Sequence, residues 1–350
     1  MTAKICILIL NWNNWPDTVA CLESIFQISF NNFQIVVIDN GSTDDSGKKI
    51  QEWAGGKLRT DNPFIPYSPG NKPIPIVSYD RQASERGGNP EQEHSLSDSL
   101  GGGVNHPLVF IQTGANLGYG GGNNVGLRFA LKREDFSHVW ILNNDTVCHR
   151  DALQELMACM ESDDKTGAVG SKLLYYNRPD TLHMAGGCRV VPWMGNASMI
   201  GVDEKDDGRW DEPLEPDYIS GASLLIKKKV LENVGLMDER YFLYWEDADW
   251  GVRMRRNGYR LLYCPASRVW HKEGGTAGRL SPDSDYYWVR NGLFFMKKFY
   301  PALLPLMPVS YFLKYTLIRL LKGQPLHFSA FLGGLKDFLM GKTGPLRKTE

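Results

Sequence analysis

The chain has 350 residues, enough to bury a full α/β core and to carry an appendage. Hydrophobic residues make up 42% and charged residues 23%, as in an ordinary folded protein. The formal net charge of −1 argues against nonspecific binding to nucleic acid, because such binding needs a strong positive field.

The six cysteines are scattered and include no Cys-x-x-Cys pair. Buried reduced thiols are therefore expected, rather than a disulfide framework or a thiolate zinc site. The apolar run at residues 5–10 is too short for a signal peptide and predicts a first buried strand. A cytoplasmic location is expected on these grounds.

The first elements of the chain are predicted to form a βαβ unit. Residues 5–10 and 34–38 are β-branched apolar runs, and residues 17–26 between them space their apolar side chains at helical intervals. Such units build parallel sheets, which bind ligands beyond the carboxyl ends of their strands. Asn11 follows the first run and Asp39 the second, so a binding edge is expected early in the chain.

Residues 55–107 change in character. They are rich in Pro, Gly, Ser and Asn and show little apolar periodicity, which predicts a loop-like insertion rather than a domain. Beyond this insertion we predict strands at 109–111 and 139–142, short strands and turns over 168–235, and a helical, basic segment from 286 onward.

The glycine-rich stretch 118–122 is not a dinucleotide-binding fingerprint. Position 123 is Asn where the third glycine is required, and the stretch does not lie in the first βα turn. The sequence also contains no Walker A loop and no Gly-x-Ser-x-Gly elbow. A nicotinamide dehydrogenase is therefore disfavoured.

Asn143-Asn144-Asp145 directly follows a predicted strand. A carboxylate flanked by amides at a strand's carboxyl end suits a hard divalent cation that is also bound by diphosphate oxygens. The alternative is an Asx turn that caps the following helix. The triplet alone leaves both interpretations open.

A second cluster of acids contains Glu246, Asp247 and Asp249, framed by tryptophans. Acids in aromatic surroundings gain proton affinity, as a general base requires. The alternative is a helix amino terminus, where acids favour the dipole. Both hold if Asp249 caps the helix or pairs with Arg253 while Asp247 faces the cleft.

His271 follows a strand-like segment and precedes the turn at 274–276. A neutral imidazole is a competent transition-metal ligand. The alternative is a structural histidine, which the residue alone does not exclude.

Taken together, these segments resemble the family 2 glycosyltransferases, and most of all their rhamnosyltransferase-like members. The resemblance implies an α/β GT-A fold, which is a mostly parallel central sheet flanked by helices, here with a C-terminal helical extension. The matching segments cover most of residues 4–275 in the family's order: ILILNWNN, VVIDNGSTDDS, NLGYGGGNNVG, ILNNDT, ISGASLLIKKKV, and GLMDERYFLYWEDADWGVRMRRNGY followed by VWH.

The resemblance implies a role for individual residues. Those expected to bind the nucleotide-sugar donor are Asn11, Trp12, Asp39, Asn116, Gly118, Asn124, Asn143 and Asn144. Asp145 and His271 would hold Mg²⁺ or Mn²⁺, and Asp247, with Glu246 beside it, would be the general base of an inverting transfer. Asn143 stands where the family's Asp-x-Asp motif has its first Asp, so weaker metal binding is expected.

The resemblance also implies substrates and an organisation. The donor would be a nucleotide sugar, with dTDP-rhamnose favoured, and the acceptor a glycan or lipid-linked glycan of cell-surface polysaccharide synthesis. Residues 1–275 would form the catalytic domain. Residues 276–350 would form a helical segment that packs on this domain or rests on anionic lipid at the cytoplasmic membrane face, through Lys297, Lys298, Lys314, Arg319 and Lys322.

Two alternatives remain. Loss of a carboxylate at Asn143 is the one feature that favours a catalytically silent nucleotide-sugar-binding scaffold of an assembly complex. A nucleotidyltransferase that makes the activated sugar is disfavoured, because the early part of the chain has no glycine-rich, basic triphosphate loop.

Overall fold

The computed structural model describes residues 4–60, 62–98, 106–272, 281–317, 323–324 and 326–346. The described strands are β1 (Lys4–Asn11), β2 (Phe33–Asp39), β3 (Ile76–Asp80), β4 (Leu108–Gln112), β5 (Phe136–Asn143), β6 (Thr146–Cys148), β7 (Thr166–Tyr175), β8 (Arg178–Ala185), β9 (Gly187–Val191), β10 (Asn196–Met199), β11 (Tyr218–Ile219), β12 (Ser223–Lys227) and β13 (Arg260–His271).

The described helices alternate with these strands. They are α1 (Trp15–Ile25), α2 (Ser46–Ala54), α3 (Arg81–Glu85), α4 (Pro90–Asp98), α5 (Gly118–Leu131), α6 (Ala152–Glu161), α7 (Lys228–Val234), α8 (Glu246–Arg256), α9 (Pro282–Phe299), α10 (Met307–Tyr311) and α11 (Leu326–Leu339). A 3-10 helix at Pro301–Leu306 joins α9 to α10.

One ten-stranded sheet forms the centre of the molecule, in the order β3-β4-β2-β1-β5-β12-β7-β13-β6, with β8 paired to β7. The five strands from β3 to β5 run parallel, whereas β12 enters antiparallel between β5 and β7. In register, Asn11 pairs with Asp39, and Leu10 pairs with Asn143. The carboxyl ends of β1, β2 and β5 therefore meet at one edge of the sheet.

Both faces of this sheet are buried. On β1, Ile7 and Ile9 pack with α1, α2 and α6, whereas Leu8 packs with α5 and α8 on the opposite face. A strand buried on both faces needs apolar residues at every position, which is why residues 5–10 read as a continuous run. The predicted βαβ unit and mostly parallel sheet are confirmed.

The prediction that residues 55–107 are loop-like is wrong for residues 76–98. Strand β3 extends the sheet edge beside β4, and helices α3 and α4 follow it. Polar contacts fix this part of the chain: Glu93 accepts hydrogen bonds from Gln34 (2.9 Å), Arg133 (2.9 Å) and Tyr79 (2.8 Å). An edge strand held by polar partners lacks the apolar periodicity on which the prediction relied.

The C-terminal helices pack on α8. Val289 and Leu293 of α9 share an apolar cluster with Trp245 and Ala248. Lys298 is paired with Asp249 (2.5 Å) and Asp238 (3.1 Å), so carboxylates of the protein itself balance its charge. Arg319, Lys322 and the Lys314 side chain lie outside the described residues. No helix in the described part of the chain has the length and apolar character needed to cross a bilayer.

The cysteines match the prediction of reduced thiols. All six are free, and five of them are buried; Cys159 is partly exposed. Burial raises the pKa of the Cys21 thiol to about 12, so it stays protonated at neutral pH.

Candidate active site

A cavity of about 440 Å³ opens at the sheet edge where β1, β2 and β5 end. The polar wall comes from the strand ends, and apolar and aromatic residues, together with Ser220 and Asp247, form the rest of the lining. The lining residues are Leu10, Trp12, Asn40, Asn116, Gly118, Tyr119, Asn143, Asn144, Asp145, His183, Met184, Cys188, Ala197, Met199, Tyr218, Ser220, Phe242, Leu243, Tyr244, Asp247, His271 and Trp288.

Asn143-Asn144-Asp145 forms the turn between β5 and β6. The Asn144 amide donates to Thr18 Oγ1 (2.9 Å), which fixes the turn to α1. The triplet does not cap a helix, because β6 follows it and α6 begins only after Asp151. The Asx-cap alternative is therefore wrong, and all three residues line the cavity.

Asp145 and His271 lie next to each other on the polar wall. His271 ends β13, which pairs antiparallel with β6, so His271 Nε2 lies 3.1 Å from Asp145 Oδ1. Both side chains are almost fully buried. Burial opposes ionisation of Asp145, but the charge and hydrogen bond of His271 lower the pKa of that carboxyl below its ordinary value. The other ring nitrogen, Nδ1, lies 3.1 Å from His183 Nδ1.

Asn143 contacts Tyr119 rather than Asp145. The Tyr119 hydroxyl lies 3.1 Å from Asn143 Oδ1 and 2.9 Å from the Gly221 carbonyl oxygen. One hydroxyl proton cannot satisfy two acceptors fully, but an amide can also present its N–H to the hydroxyl. A carboxylate at this position could only accept, so an amide suits this contact better than an Asp.

Asp247 reaches the cavity from the first turn of α8. Its Oδ2 accepts a hydrogen bond from the Gly221 N–H (2.9 Å), whereas no described residue hydrogen-bonds to its buried Oδ1. Burial raises the pKa of Asp247 to about 6, and the Gly221 N–H opposes that rise. Asp247 therefore has one oxygen to which no described residue hydrogen-bonds, and its pKa is close to neutral pH, as a general base requires.

Glu246 lies beside Asp247 but does not line the cavity. It is 4% exposed. Burial first, and the neighbouring Asp247 charge second, raise the pKa of Glu246 to about 8. The two carboxyls therefore hold one proton between them near pH 7, with Glu246 as the protonated member.

The backbone that leads to these acids, the 241–245 loop, is strained. Phe242, Tyr244 and Trp245 have φ values of 64°, 65° and 76°, in the left-handed region that side chains with a Cβ avoid. At Phe242 the chain makes a classic γ-turn, closed by the Leu243 N–H and the Tyr241 carbonyl (2.8 Å). Each such residue costs about 1–3 kcal/mol, so other contacts must hold this loop.

Helix α5 holds one side of this loop. The Phe242 carbonyl accepts a hydrogen bond from the Tyr119 N–H (2.7 Å). At Gly118 (φ 75°), a Cβ would lie only 2.2 Å from that carbonyl oxygen. We predicted that Gly118 shapes the donor side of the cleft. In the structure, the absence of a Cβ at Gly118 leaves the space in which the Phe242 carbonyl of the 241–245 loop lies.

Helix α8 begins directly after this loop. Its third acid, Asp249, has a structural role. Asp249 Oδ1 accepts from Arg253 (2.6 Å), the predicted i,i+4 pair, and Asp249 Oδ2 accepts from the Tyr241 hydroxyl (3.0 Å). The Asp249 side chain is 0% exposed. As expected for this acid cluster, Asp249 pairs with Arg253 while Asp247 faces the cavity.

The predicted donor-binding residues gather at the ends of β1 and β2. Asn11 donates to Asp39 Oδ1 (3.0 Å) and to Ser42 Oγ (3.1 Å). Trp12 is 37% exposed and lines the cavity, as does Asn116, which accepts from the Gly118 N–H (2.9 Å). Asn11 and Asp39 lie just behind the cavity wall.

The structure corrects the prediction made for Asn124. It was predicted to shape the nucleotide-sugar side of the cleft, but it is not among the described residues that line the cavity. Its amide donates to the Met237 carbonyl (2.9 Å) and Glu239 (2.9 Å), and it accepts from the Met237 N–H (3.1 Å). Asn124 lies on the second turn of α5, facing the segment before the 241–245 loop, so it fixes that segment instead.

Several lining residues could not be found from motifs. His183 and Met184 come from β8, Cys188 and Met199 from the β9–β10 hairpin, and Trp288 from α9. They lie on other elements than the motifs and carry no spacing signal of their own. Only the aromatic run at 286–288 could have directed attention to Trp288.

Comparison with known proteins gives two family matches. Residues 104–281, about half of the chain, match the model described as glycosyltransferase-like family 2. Residues 6–67 match the model described as glycosyl transferase family 2. The two matches together include all of the cavity-lining residues except Trp288.

Two individual relatives are each less than 30% identical to this chain. The N-acetylglucosaminyl-diphospho-decaprenol L-rhamnosyltransferase of Mycobacterium tuberculosis is 28% identical over 188 residues, which are 48% of this chain and 60% of that relative. The dTDP-rhamnosyl transferase RfbF of Shigella flexneri is 23% identical over 245 residues, 67% of this chain and 79% of that relative.

Solved structures share the fold. A mannosyltransferase from Pyrobaculum calidifontis, in complex with GDP-Man and Mn²⁺, superposes with a TM-score of 0.52 at 14% identity. The alignment covers 98% of this chain and 77% of that one. The predicted GT-A fold is confirmed.

Gly118 offers a test of the site's geometry. Gly118→Ala is expected to lower the free energy of unfolding by at least about 2 kcal/mol more than Gly114→Ala does, because the added methyl meets the Phe242 carbonyl. Gly114 is the matched control, since its φ is 78° and a Cβ there has no described atom within 4 Å. Urea denaturation measures both, and equal losses would contradict the assigned close approach.

Proposed function

Because this chain belongs to the family 2 glycosyltransferases, we propose that it transfers a sugar from a nucleoside-diphosphate donor to an acceptor hydroxyl with inversion at the anomeric carbon. The observation that carries the proposal is the placement of Asp247 in the same cavity as Asp145 and His271. A base on one element and a pair of candidate metal ligands on another suit a single displacement at a diphosphate-bearing donor.

In this proposal Asp247 accepts the acceptor's proton. Its unpartnered Oδ1 is the atom that takes the proton, while Gly221 holds Oδ2. The acceptor oxygen forms its bond to the anomeric carbon as the bond to the diphosphate breaks. Glu246 stays protonated behind Asp247 and so leaves a single negative charge on the pair.

Asp145 and His271 fit a hard divalent ion such as Mg²⁺ or Mn²⁺. Their donor atoms converge within 3.1 Å of each other on the cavity wall. The described residues contain no group of three or more metal-ligating side chains, so the protein would supply two ligands and the diphosphate and water the rest. When bound, the ion would neutralise charge on the leaving diphosphate.

The names of two relatives support a choice of substrates. The Shigella relative's name gives dTDP-rhamnose as its donor, and the mycobacterial relative's name gives a diphospho-decaprenol-linked N-acetylglucosamine. We favour dTDP-rhamnose as the donor here, and a glycan or lipid-linked glycan as the acceptor. Trp12 lines the cavity, and Asn11 and Asp39 lie just behind its wall at the strand ends. In this proposal the donor occupies that side, and the acceptor occupies the apolar part of the cavity.

The scaffold alternative rests on Asn143 alone. The contact of Asn143 with Tyr119 gives that amide a structural role that does not require loss of catalysis. Donor binding in calorimetry, without turnover on any acceptor, would favour the scaffold.

Asp247→Asn is expected to lower kcat by at least about 10²-fold, because the amide cannot take the acceptor's proton. Transfer from a panel of nucleotide sugars, dTDP-rhamnose included, to a diphospho-lipid-linked N-acetylglucosamine with Mn²⁺ measures this. Asp164→Asn, at an exposed position far from the cavity, is the control and should keep full activity.

The pH profile tests the same residue. Since Asp247 must be ionised to act as base, kcat/KM is expected to fall as the pH drops through about 6. An acid limb near pH 4, the range of an ordinary Asp, or full activity of the Asn variant, would show that Asp247 is not the base.

EDTA is expected to abolish transfer, and added Mn²⁺ or Mg²⁺ to restore it, because Asp145 and His271 alone do not neutralise the diphosphate. Asp145→Asn should raise the Mn²⁺ concentration needed for half-maximal rate by about tenfold or more, following the loss of a charged ligand. A Mn²⁺ titration measures this shift. Full activity in EDTA would exclude the metal site.

Peripheral contact with a membrane fits a lipid-linked acceptor. Trp193, Leu306 and Val309 are 70%, 59% and 61% exposed, and the Ser310 hydroxyl donates to the Met194 carbonyl (3.0 Å), so the β9–β10 turn and residues 306–310 form one apolar surface. The chain should co-sediment with anionic lipid vesicles, and Leu306→Ser with Val309→Ser should weaken this. Absence of the intact chain from the vesicle pellet would contradict the proposal.

A further inference from the structure

The second contact that holds the 241–245 loop comes from α9, on the side opposite α5. Asn291 is 0% exposed and lies outside the cavity lining. Its amide nitrogen is 2.5 Å from the Tyr241 carbonyl oxygen, 2.7 Å from that of Leu243 and 3.3 Å from that of Tyr244. One side chain thus meets three carbonyls of a five-residue loop.

These carbonyls converge because of the strained backbone. Positive φ at Phe242 and Tyr244 turns the neighbouring peptide units, so that the carbonyls of 241, 243 and 244 face α9 while that of Phe242 faces α5. Converging carbonyl dipoles repel one another unless a donor lies between them. The Asn291 amide supplies that donor.

Arg290 fixes which end of the amide faces the loop. Its Nε donates to Asn291 Oδ1 (3.0 Å), so the amide nitrogen must face the carbonyls. Its guanidinium, 1% exposed, also donates to the Tyr241 carbonyl (3.2 Å) and lies against the rings of Tyr286 and Tyr287, both centroids 5.1 Å away. The adjacent pair therefore acts as one unit with a defined orientation.

We propose that Asn291, oriented by Arg290, is a positioning residue for the transfer: it holds the 241–245 loop so that the carboxylate of Asp247 stands in the cavity. The inference rests on the proposed function, because it takes Asp247 to be the base. Asp247 lies two residues after Trp245, so any relaxation of the loop redirects the start of α8. Asn291 touches no substrate and acts only through the loop.

Asn291→Asp tests this with almost no change in size. The carboxylate would face three carbonyl oxygens with no proton to donate, so the loop should relax. The expected result is a fall in kcat of about 100-fold, the effect of a displacement of about 1 Å at a reacting group. The donor KM should stay within about twofold, because Asp39 and Asn116 lie on other elements.

The acid limb of the pH profile separates positioning from simple loss of structure. Relaxation of the loop exposes Asp247, which lowers its pKa, so the limb should move to lower pH in Asn291→Ala, a variant that removes the donor without adding a charge near Asp247. The other titratable groups around Asp247 are Glu246 on the same helix, Tyr119 from α5 and Tyr218 from β11, and none of them is substituted. Phe294→Ala, on the same helix as Asn291, is the control, because the Phe294 ring packs on Phe338 of α11, with the ring centroids 5.1 Å apart.

Phe294→Ala should lower stability but leave kcat and the limb as in the wild type. Asn291→Ala should lower kcat about tenfold, and it tests the proposal by itself if Asn291→Asp fails to fold. Wild-type kcat in a folded Asn291 variant, a wild-type limb in Asn291→Ala, or the same changes in Phe294→Ala, would overturn the proposal. A wild-type chain without transfer activity would instead overturn the proposed function.

Discussion

The strained backbone of the 241–245 loop is the constraint on which the candidate site depends. Three of its residues have positive φ, and the loop leads straight into the two acids at the start of α8. Such a backbone persists only when its surroundings fix it. Here α5 approaches through Gly118 on one side, and α9 supplies donors on the other. The position of Asp247 is therefore set by helices far away in the sequence.

The other half of the site is built on the sheet and needs no such support. Register alone brings Asn11 beside Asp39, and the antiparallel pairing of β6 with β13 brings His271 beside Asp145. In the proposed function the rigid strand ends hold the donor, and the loop presents the base. A site divided in this way can keep its donor half while the base half is disturbed, which is why kcat and the donor KM are expected to separate.

The sheet half of the molecule is predicted well from the sequence, because the two patterns that indicate it, apolar runs and the polar residues that end them, are local. Continuous apolar runs indicate buried parallel strands, and polar residues at their ends indicate the binding edge, so Asn143 and Asp145 could be placed at the cavity. Asp247, on α8, was placed there by its acid cluster and by the family resemblance. The edge strand β3 was missed, since polar contacts through Glu93 rather than apolar periodicity hold that region.

The roles of other residues depend on contacts that no local pattern encodes. Asn124 and Gly118 lie in one glycine-rich motif but have different roles. Asn124 hydrogen-bonds to the 237–239 segment, whereas Gly118 leaves space for the Phe242 carbonyl. His183 joins His271 only through the pairing of distant strands. Asn291 lies in an aromatic, basic segment whose composition suggested a lipid surface, whereas its amide faces the interior. Long-range packing decides each of these cases.

The stereochemistry of transfer tests the central claim most directly. With Asp247 as the sole base and one displacement, the new glycosidic bond must have the anomeric configuration opposite to that of the donor. NMR of the product formed from dTDP-rhamnose, or from whichever nucleotide sugar of the panel is used, measures this configuration. Inversion is the result predicted here, and retention of configuration would contradict the account.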